Sequence, residues 1–430
     1  MQPTEHSHSI PKHTRTRHPV KPWTVFRYRL FALLAVIGPG FITANVDNDP
    51  GGILTYSQAG AKYGYTLLWT LIPTTIALIV VQEMAARMGA ITGKGLSDLI
   101  REEFGLRMTF FTMFVLSLAD FGNIAAEFAG LASGLGMFGV GKYIAVPLGA
   151  IIVWLVIVRG SYKPVERVLL LLSLIYFTYP ISAMLGHPNW TTALRATVIP
   201  HLSTDPGYIA MIIGLIGTTI TPWMQFYLQA SVVEKGISKR NYNLCRVDVI
   251  LGCIITDVIA FFIMVACAAT IFKSGHSEIN DVADAAKALA PFAGNFAAGL
   301  FAIGLINASL MSAAILPLAT AYNICEGLGF ESGVGRRFSE AKIFYGLYTA
   351  LIVCGAAFVL VPRLPLLKVI LFSQVANGIL LPFVLVFMLL LINRPRLMGE
   401  YRNRLTGNII AIATSAIMIA LTIALLWTGL

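Results

Sequence analysis

The stretch Asp47-Asn48-Asp49-Pro50-Gly51-Gly52 interrupts an apolar run that begins near residue 30 and resumes as Ile53-Leu54-Thr55-Tyr56-Ser57-Gln58-Ala59-Gly60-Ala61. Pro50 removes a backbone donor, and two glycines permit non-helical dihedrals, so a helix entering this stretch stops there and a second half-helix follows. In hydrocarbon, a broken helix exposes polar backbone that only surrounding protein or a water-filled cavity can satisfy. The break also carries carboxylates, and a carboxylate inside a membrane marks a functional site because leaving it unpaired is costly. Read alone, the stretch also fits an ordinary interfacial turn.

The rest of the chain places this break in a membrane. Hydrophobic residues make up 57% of the 430 residues and charged residues only 12%, about half the share of an ordinary soluble domain. Eleven apolar runs follow one another, at roughly 30–48, 65–86, 108–138, 143–158, 165–185, 208–233, 247–272, 292–325, 341–361, 367–392 and 408–428. Most are long enough to cross a hydrocarbon core as helices. None alternates strictly over the length of a barrel strand, so the expected class is an all-α polytopic membrane protein.

The net charge of +10 is distributed as a topology signal, not as a nucleic-acid surface. Arg87, Lys94, Arg101 and Arg107 follow the second run, and Arg159, Lys163 and Arg167 follow the fourth. Lys235, Lys239, Arg240 and Arg246 follow the sixth; Arg336, Arg337 and Lys342 follow the eighth; Arg394, Arg396, Arg402 and Arg404 follow the tenth. All fall on one side, together with the basic residues 1–29, whereas the other side carries Asp205, Glu278, Asp281 and Asp284. The N-terminus is therefore expected in the cytoplasm as an uncleaved tail and the C-terminus outside, in a bacterial inner membrane.

A partner to the first break lies in the sixth run, where Gly214, Gly217, Thr218, Thr219, Thr221 and Pro222 interrupt the helix before Trp223 and Met224. Five runs separate the breaks. That spacing points to two inverted five-helix repeats, 30–186 and 206–392, with an eleventh helix at 407–430. Discontinuous helices at matching positions point to a midplane ion site, where exposed carbonyls and half-helix dipoles supplement side chains. Other polar residues in apolar runs are Asp120, Asn123 and Glu127 in the third, Asp248 and Asp257 in the seventh, and Gln374 and Asn377 in the tenth. Cys245, Cys253, Cys267, Cys325 and Cys354 are unpaired in any CxxC, and the seven histidines lie in the N-terminal segment or in loops. No zinc site, disulfide framework, Walker loop or enzyme chemistry is expected, and no resident cofactor.

The chain resembles the Nramp family of divalent metal transporters in Gly38-Pro39-Gly40-Phe41, Asp49-Pro50-Gly51-Gly52 and Gln58-Ala59-Gly60-Ala61, in the broken sixth helix, in Glu127 and in Ser373-Gln374-Val375. The resemblance implies the five-plus-five inverted-repeat fold of transporters related to LeuT, and members that typically move Mn²⁺ and Fe²⁺ with protons. It implies that Asp49 binds the metal, that Val46 and Thr218 offer carbonyls, and that Gln374 contributes from the tenth helix. The family's asparagine falls on Gly52, its methionine on Thr221, its histidine on Trp223 and its third-helix aspartate on Ile124, while its glutamate is kept as Glu127.

These departures remove the soft sulfur and two proton-relay groups. The sequence therefore leads to Mg²⁺ uptake by alternating access, with Mn²⁺ as a second ion and no proton coupling, as in the Nramp-related magnesium branch. The site expected is Asp49, Val46, Thr218, Thr221, Gln374 and the space at Gly52. A proton-coupled Mn²⁺/Fe²⁺ transporter and a non-transporting membrane metal sensor are the alternatives, and a sodium or amino-acid symporter on the same fold is less favoured. A monomer is expected, in contact with lipid and the divalent ion and not with nucleic acid.

Overall fold

The structure, a computed structural model, describes residues 46, 48–159, 173–275, 279 and 282–428. The basic segment 1–29, most of the first apolar run, Asp47, Lys163, Arg167, Glu278 and Asp281 lie outside the described residues. Helices account for nearly all the rest. Eight of them are long and apolar enough to span a membrane among the described residues, and Lys142–Val158 and Leu174–Leu185 are shorter apolar helices.

The half-helix after the first break is α1, Pro50–Tyr63. The next spans are α2, Leu71–Thr92, and α3, Leu96–Gly136. As one straight rod, 41 residues would run about 60 Å, twice a hydrocarbon core. Gly105, at φ 79° and ψ 170°, resolves this. Only glycine adopts that backbone freely, and it divides a short leading helix from the membrane-length remainder that the apolar run at 108–138 marks. Then come α4, Lys142–Val158, α5, Thr178–Leu185, and the loop helix α6, Trp190–Val198.

The sixth span is divided into α7, Pro206–Thr219, and α8, Pro222–Glu234, at the place its prolines and threonines indicate. It is followed by α9, Tyr242–Cys267, continued by a π-helical turn over Ala268–Phe272. The remaining spans are α10, Ala297–Leu328; α11, Lys342–Val359; α12, Leu366–Ile392; and α13, Leu405–Thr428.

Burial follows the same order. Every residue of α1 from Pro50 to Ala61 is buried, as are most residues of α7 and α8. The broken helices thus form the inside of the bundle. Exposed Phe110, Phe114, Leu148, Val353, Ile409 and Trp427 lie on outer faces, the surface that lipid would cover.

Glycines set the closest approaches between helices. A Cβ at Gly60 would strike the Met264 carbonyl of α9, and one at Gly217 would strike the Gln374 carbonyl and the Gly378 backbone of α12.

Candidate functional site

At the first break, Asp49 is extended, with φ −71° and ψ 177°, and caps α1. Its Oδ1 accepts from the Gly52 N–H at 2.7 Å. Pro50 occupies the first helical position, where its missing N–H costs nothing. The proline ring lies on Gly130 of α3, where a Cβ would overlap it and crowd the Ser309 hydroxyl of α10. The break is therefore held between α3 and α10.

Its carbonyls have partners from other helices. The Tyr176 hydroxyl, just before α5, donates to the Asn48 carbonyl at 3.0 Å. The Ser312 hydroxyl of α10 donates to the Val46 carbonyl at a long 3.4 Å. Neither Tyr176 nor Ser312 stands out in its sequence, because each acts on a backbone atom rather than on a motif.

The second break turns at Ile220, with φ −119° and ψ 67°, and at extended Thr221. Thr221 is the N-cap of α8 but makes no side-chain cap bond to it. Its hydroxyl lies 2.9 Å from the Thr218 carbonyl and 3.1 Å from that of Gly217, and donates back to the end of α7. The Thr221 hydrogen is thereby used within the protein, and an oxygen lone pair is left. The Thr218 hydroxyl is buried with no hydrogen-bond partner. Tyr56 of α1 and Thr219 of α7 share a hydroxyl–hydroxyl bond of 2.8 Å, which ties the two broken helices together.

Gln374 of α12 meets both breaks. Its side chain lies against Gly51, where any Cβ would collide with it, and its carbonyl lies against Gly217. Its Nε2 donates to the Ser373 hydroxyl at 3.1 Å, and its Oε1 accepts from Asn377 at 3.1 Å. Asn377 and Asn123 exchange amide bonds of 2.8 and 3.1 Å between α12 and α3. The shared face expected for Gln374 and Asn377 is thus a hydrogen-bonded chain reaching α3.

Glu127 is fully buried, and no described donor reaches either of its oxygens. Its carboxyl group lies close to that of Asp49. Two carboxylates cannot bond to each other; the contact is favourable only with a proton or a cation between them. The two acids retained in the sequence, Asp49 and Glu127, thus lie together at the first break. Asp120, seven residues earlier, is held separately by the Thr320 hydroxyl of α10 at 2.8 Å.

The positions where the relay residues are missing are apolar and packed. Ile124 abuts Gly355 of α11, and Trp223 is buried with its ring 6.1 Å from that of Tyr227. Asp257 of α9 is buried beside Thr75 of α2. Among the described residues no group of three or more His, Cys, Asp or Glu is placed to hold a metal. Any ion at the breaks would depend on one or two carboxylates, hydroxyls, an amide and carbonyls.

Comparison with known proteins agrees with this architecture. The chain is 32% identical over 273 residues to the divalent metal cation transporter MntH of Erwinia tasmaniensis, a match covering 61% of this chain and 65% of that protein's length. The crystal structure of the Eremococcus coleocola manganese transporter, in complex with an aromatic bis-isothiourea substituted compound, superposes with a TM-score of 0.73 at 22% identity. It covers 91% of this chain and 86% of the other. MhsT in complex with L-phenylalanine superposes less closely, with a TM-score of 0.56 at 18% identity over 90% of this chain and 97% of that one. At such identities the structural matches establish the fold. The model of the Nramp family, natural resistance-associated macrophage protein-like, matches residues 40–428; it takes in both breaks and every described span, and the chain belongs to that family.

Proposed function

We propose that this protein carries a divalent metal ion, Mn²⁺ foremost, across a bacterial inner membrane by alternating access at the two helix breaks, coupled to proton movement. The N-terminus lies on the cytoplasmic side in this reading. The observation that carries it is the meeting of Asp49 and Glu127 at the first break. A metal at Asp49 requires that carboxylate ionised, so the proton shared by the pair passes to Glu127 and enters with the metal. Val46, Thr218, Thr221, Gln374 and the space beside Gly52 complete the site, directly or through water.

This replaces the reading of Mg²⁺ as the main ion without proton coupling. That reading is overturned by the relatives: the matched proteins are a divalent metal cation transporter and a manganese transporter, and neither singles out Mg²⁺. The physical reason lies in the ligand chemistry. Loss of a soft sulfur at Thr221 does not exclude Mn²⁺, because carboxylate, carbonyl and water oxygens suit Mn²⁺ as well as Mg²⁺.

The test uses liposomes loaded with a metal-sensing dye and a pH dye, with the membrane potential clamped. Mn²⁺ entry with concurrent internal acidification is expected. Absence of Mn²⁺ entry would refute the ion; entry at constant internal pH would refute the coupling.

A further inference from the structure

Away from the breaks, on the arginine-rich side of the bundle, a cavity of ≈ 510 Å³ opens where α2 ends and where α9 and α13 begin. Its wall contains Arg87, Arg246, Arg402 and Arg404 against Glu83 and Glu400, so four positive and two negative side chains leave a net charge of +2.

The inner part of the wall is already satisfied. Arg87 pairs with Glu83 at 3.0 Å, and Tyr242 donates to the same carboxylate. Arg87 also donates to the Tyr401 and Arg402 carbonyls at 3.2 and 3.3 Å and to Asn403 Oδ1 at 2.7 Å. These bonds fix the loop before α13 onto α2 and shape the pocket. Arg246 and Arg404 lie within electrostatic reach of Arg87, and Arg246 also of Glu83, yet neither they nor Arg402 has a carboxylate within ion-pairing distance among the described residues. Like charges gathered around a cavity repel one another, and an anion in the cavity relieves that repulsion.

The surroundings identify the kind of anion. Val80 and Ile410 form part of the wall, and Leu244, Val247, Leu405 and Ile409, beside the lining residues in the chain, are exposed on α9 and α13. These are faces for acyl chains. A basic pocket between spans on the positively charged side matches the chemistry by which membrane proteins hold anionic headgroups.

We propose that this pocket seats the phosphate headgroup of an anionic phospholipid, whose chains lie along α9 and α13. A free phosphate ion offers the same oxyanion chemistry but gains nothing from the apolar faces.

The probes are phosphatidylglycerol, phosphatidylcholine and inorganic phosphate, added to purified full-length protein and read by native mass spectrometry. Selective retention of phosphatidylglycerol is expected, weakened on the order of tenfold in the R246Q/R404Q double variant and not displaced by millimolar phosphate. Equal retention of both lipids, or unchanged retention in the variant, would overturn the proposal; displacement by phosphate would make the pocket a soluble-anion site and overturn the lipid assignment. A second measurement needs no variant. Phosphatidylglycerol should raise the unfolding temperature of the native protein at low salt, with the gain shrinking at high salt, and a gain independent of headgroup charge would count against the proposal equally.

Discussion

The carboxyl groups of Asp49 and Glu127 face each other at the first helix break, and no described donor serves either oxygen of Glu127. In the proposed mechanism a proton and a metal ion compete for this place. Glu127→Gln replaces an acid with an amide that donates to Asp49 without titrating. Mn²⁺ binding to this variant is expected to lose most of its dependence on pH, while metal-driven acidification in liposomes disappears. Calorimetry at several pH values measures the first, and a wild-type pH slope in the variant would separate Glu127 from the coupling.

Asp49 caps α1 and, in the proposed function, supplies the charge for the ion; two substitutions distinguish these roles. Asp49→Asn keeps an oxygen to accept from the Gly52 N–H but loses the charge; Asp49→Ala loses both. Loss of the cap costs about 1 kcal/mol, so the alanine variant should unfold slightly earlier than the asparagine variant. Transport should be abolished in both, because it depends on the charge. Mn²⁺ uptake by Asp49→Asn near the wild-type rate would remove Asp49 from the metal site.

Tyr176→Phe removes only the hydroxyl that donates to the Asn48 carbonyl. A single neutral hydrogen bond contributes about 1 kcal/mol, so Mn²⁺ affinity is expected to fall about fivefold or less by loss of support to the break. A loss of several hundredfold in a binding titration would instead mean that the hydroxyl contacts the ion.

Asn123 and Asn377 donate to each other; truncating Asn377 strands the Asn123 amide, while truncating Asn123 leaves the Asn377 amide only its bond to Gln374. The Asn123→Ala and Asn377→Ala variants should each be destabilised, and the double variant by clearly less than their sum, with a coupling of about 0.5–3 kcal/mol. Additive shifts in chemical denaturation would show that the pair is not coupled.

The described spans and the proline-marked turns at Asp49-Pro50 and Thr221-Pro222 were legible in the sequence because they depend on local properties; most of the helix expected before the first break lies outside the described residues. Pro50 and Pro222 cannot donate, the glycines permit turns, and the apolar runs match the thickness of the membrane. The short leading part of α3 was not legible, because residues 96–104 are mixed in polarity and only the φ of Gly105 separates them from the span. At the site, the acids and Gln374 were visible as polar residues in apolar runs. Their partners were not: Tyr176 and Ser312 act on the backbone carbonyls of Asn48 and Val46, and no motif records such a bond. The inference from Thr221 to Mg²⁺ failed for a related reason. A missing sulfur says which atom is absent, whereas the preference for an ion is set by every oxygen that remains, most of them main-chain or water.

The glycine contacts of the broken helices have a kinematic consequence. Gly60 presses α1 onto the Met264 carbonyl of α9, and Gly217 presses α7 onto the backbone of α12 at Gln374 and Gly378. Backbone against backbone leaves no side chain to yield, and such packing tolerates little sliding. The half-helix after the first break must travel with α9, and the half-helix before the second with α12. The two bodies meet through side chains, at the Tyr56–Thr219 hydroxyl bond and where the Gln374 amide lies against Gly51. In the proposed transport cycle, relative motion of the bodies would fall on these side-chain contacts, and a small displacement there would change which oxygens an ion at Asp49 can reach.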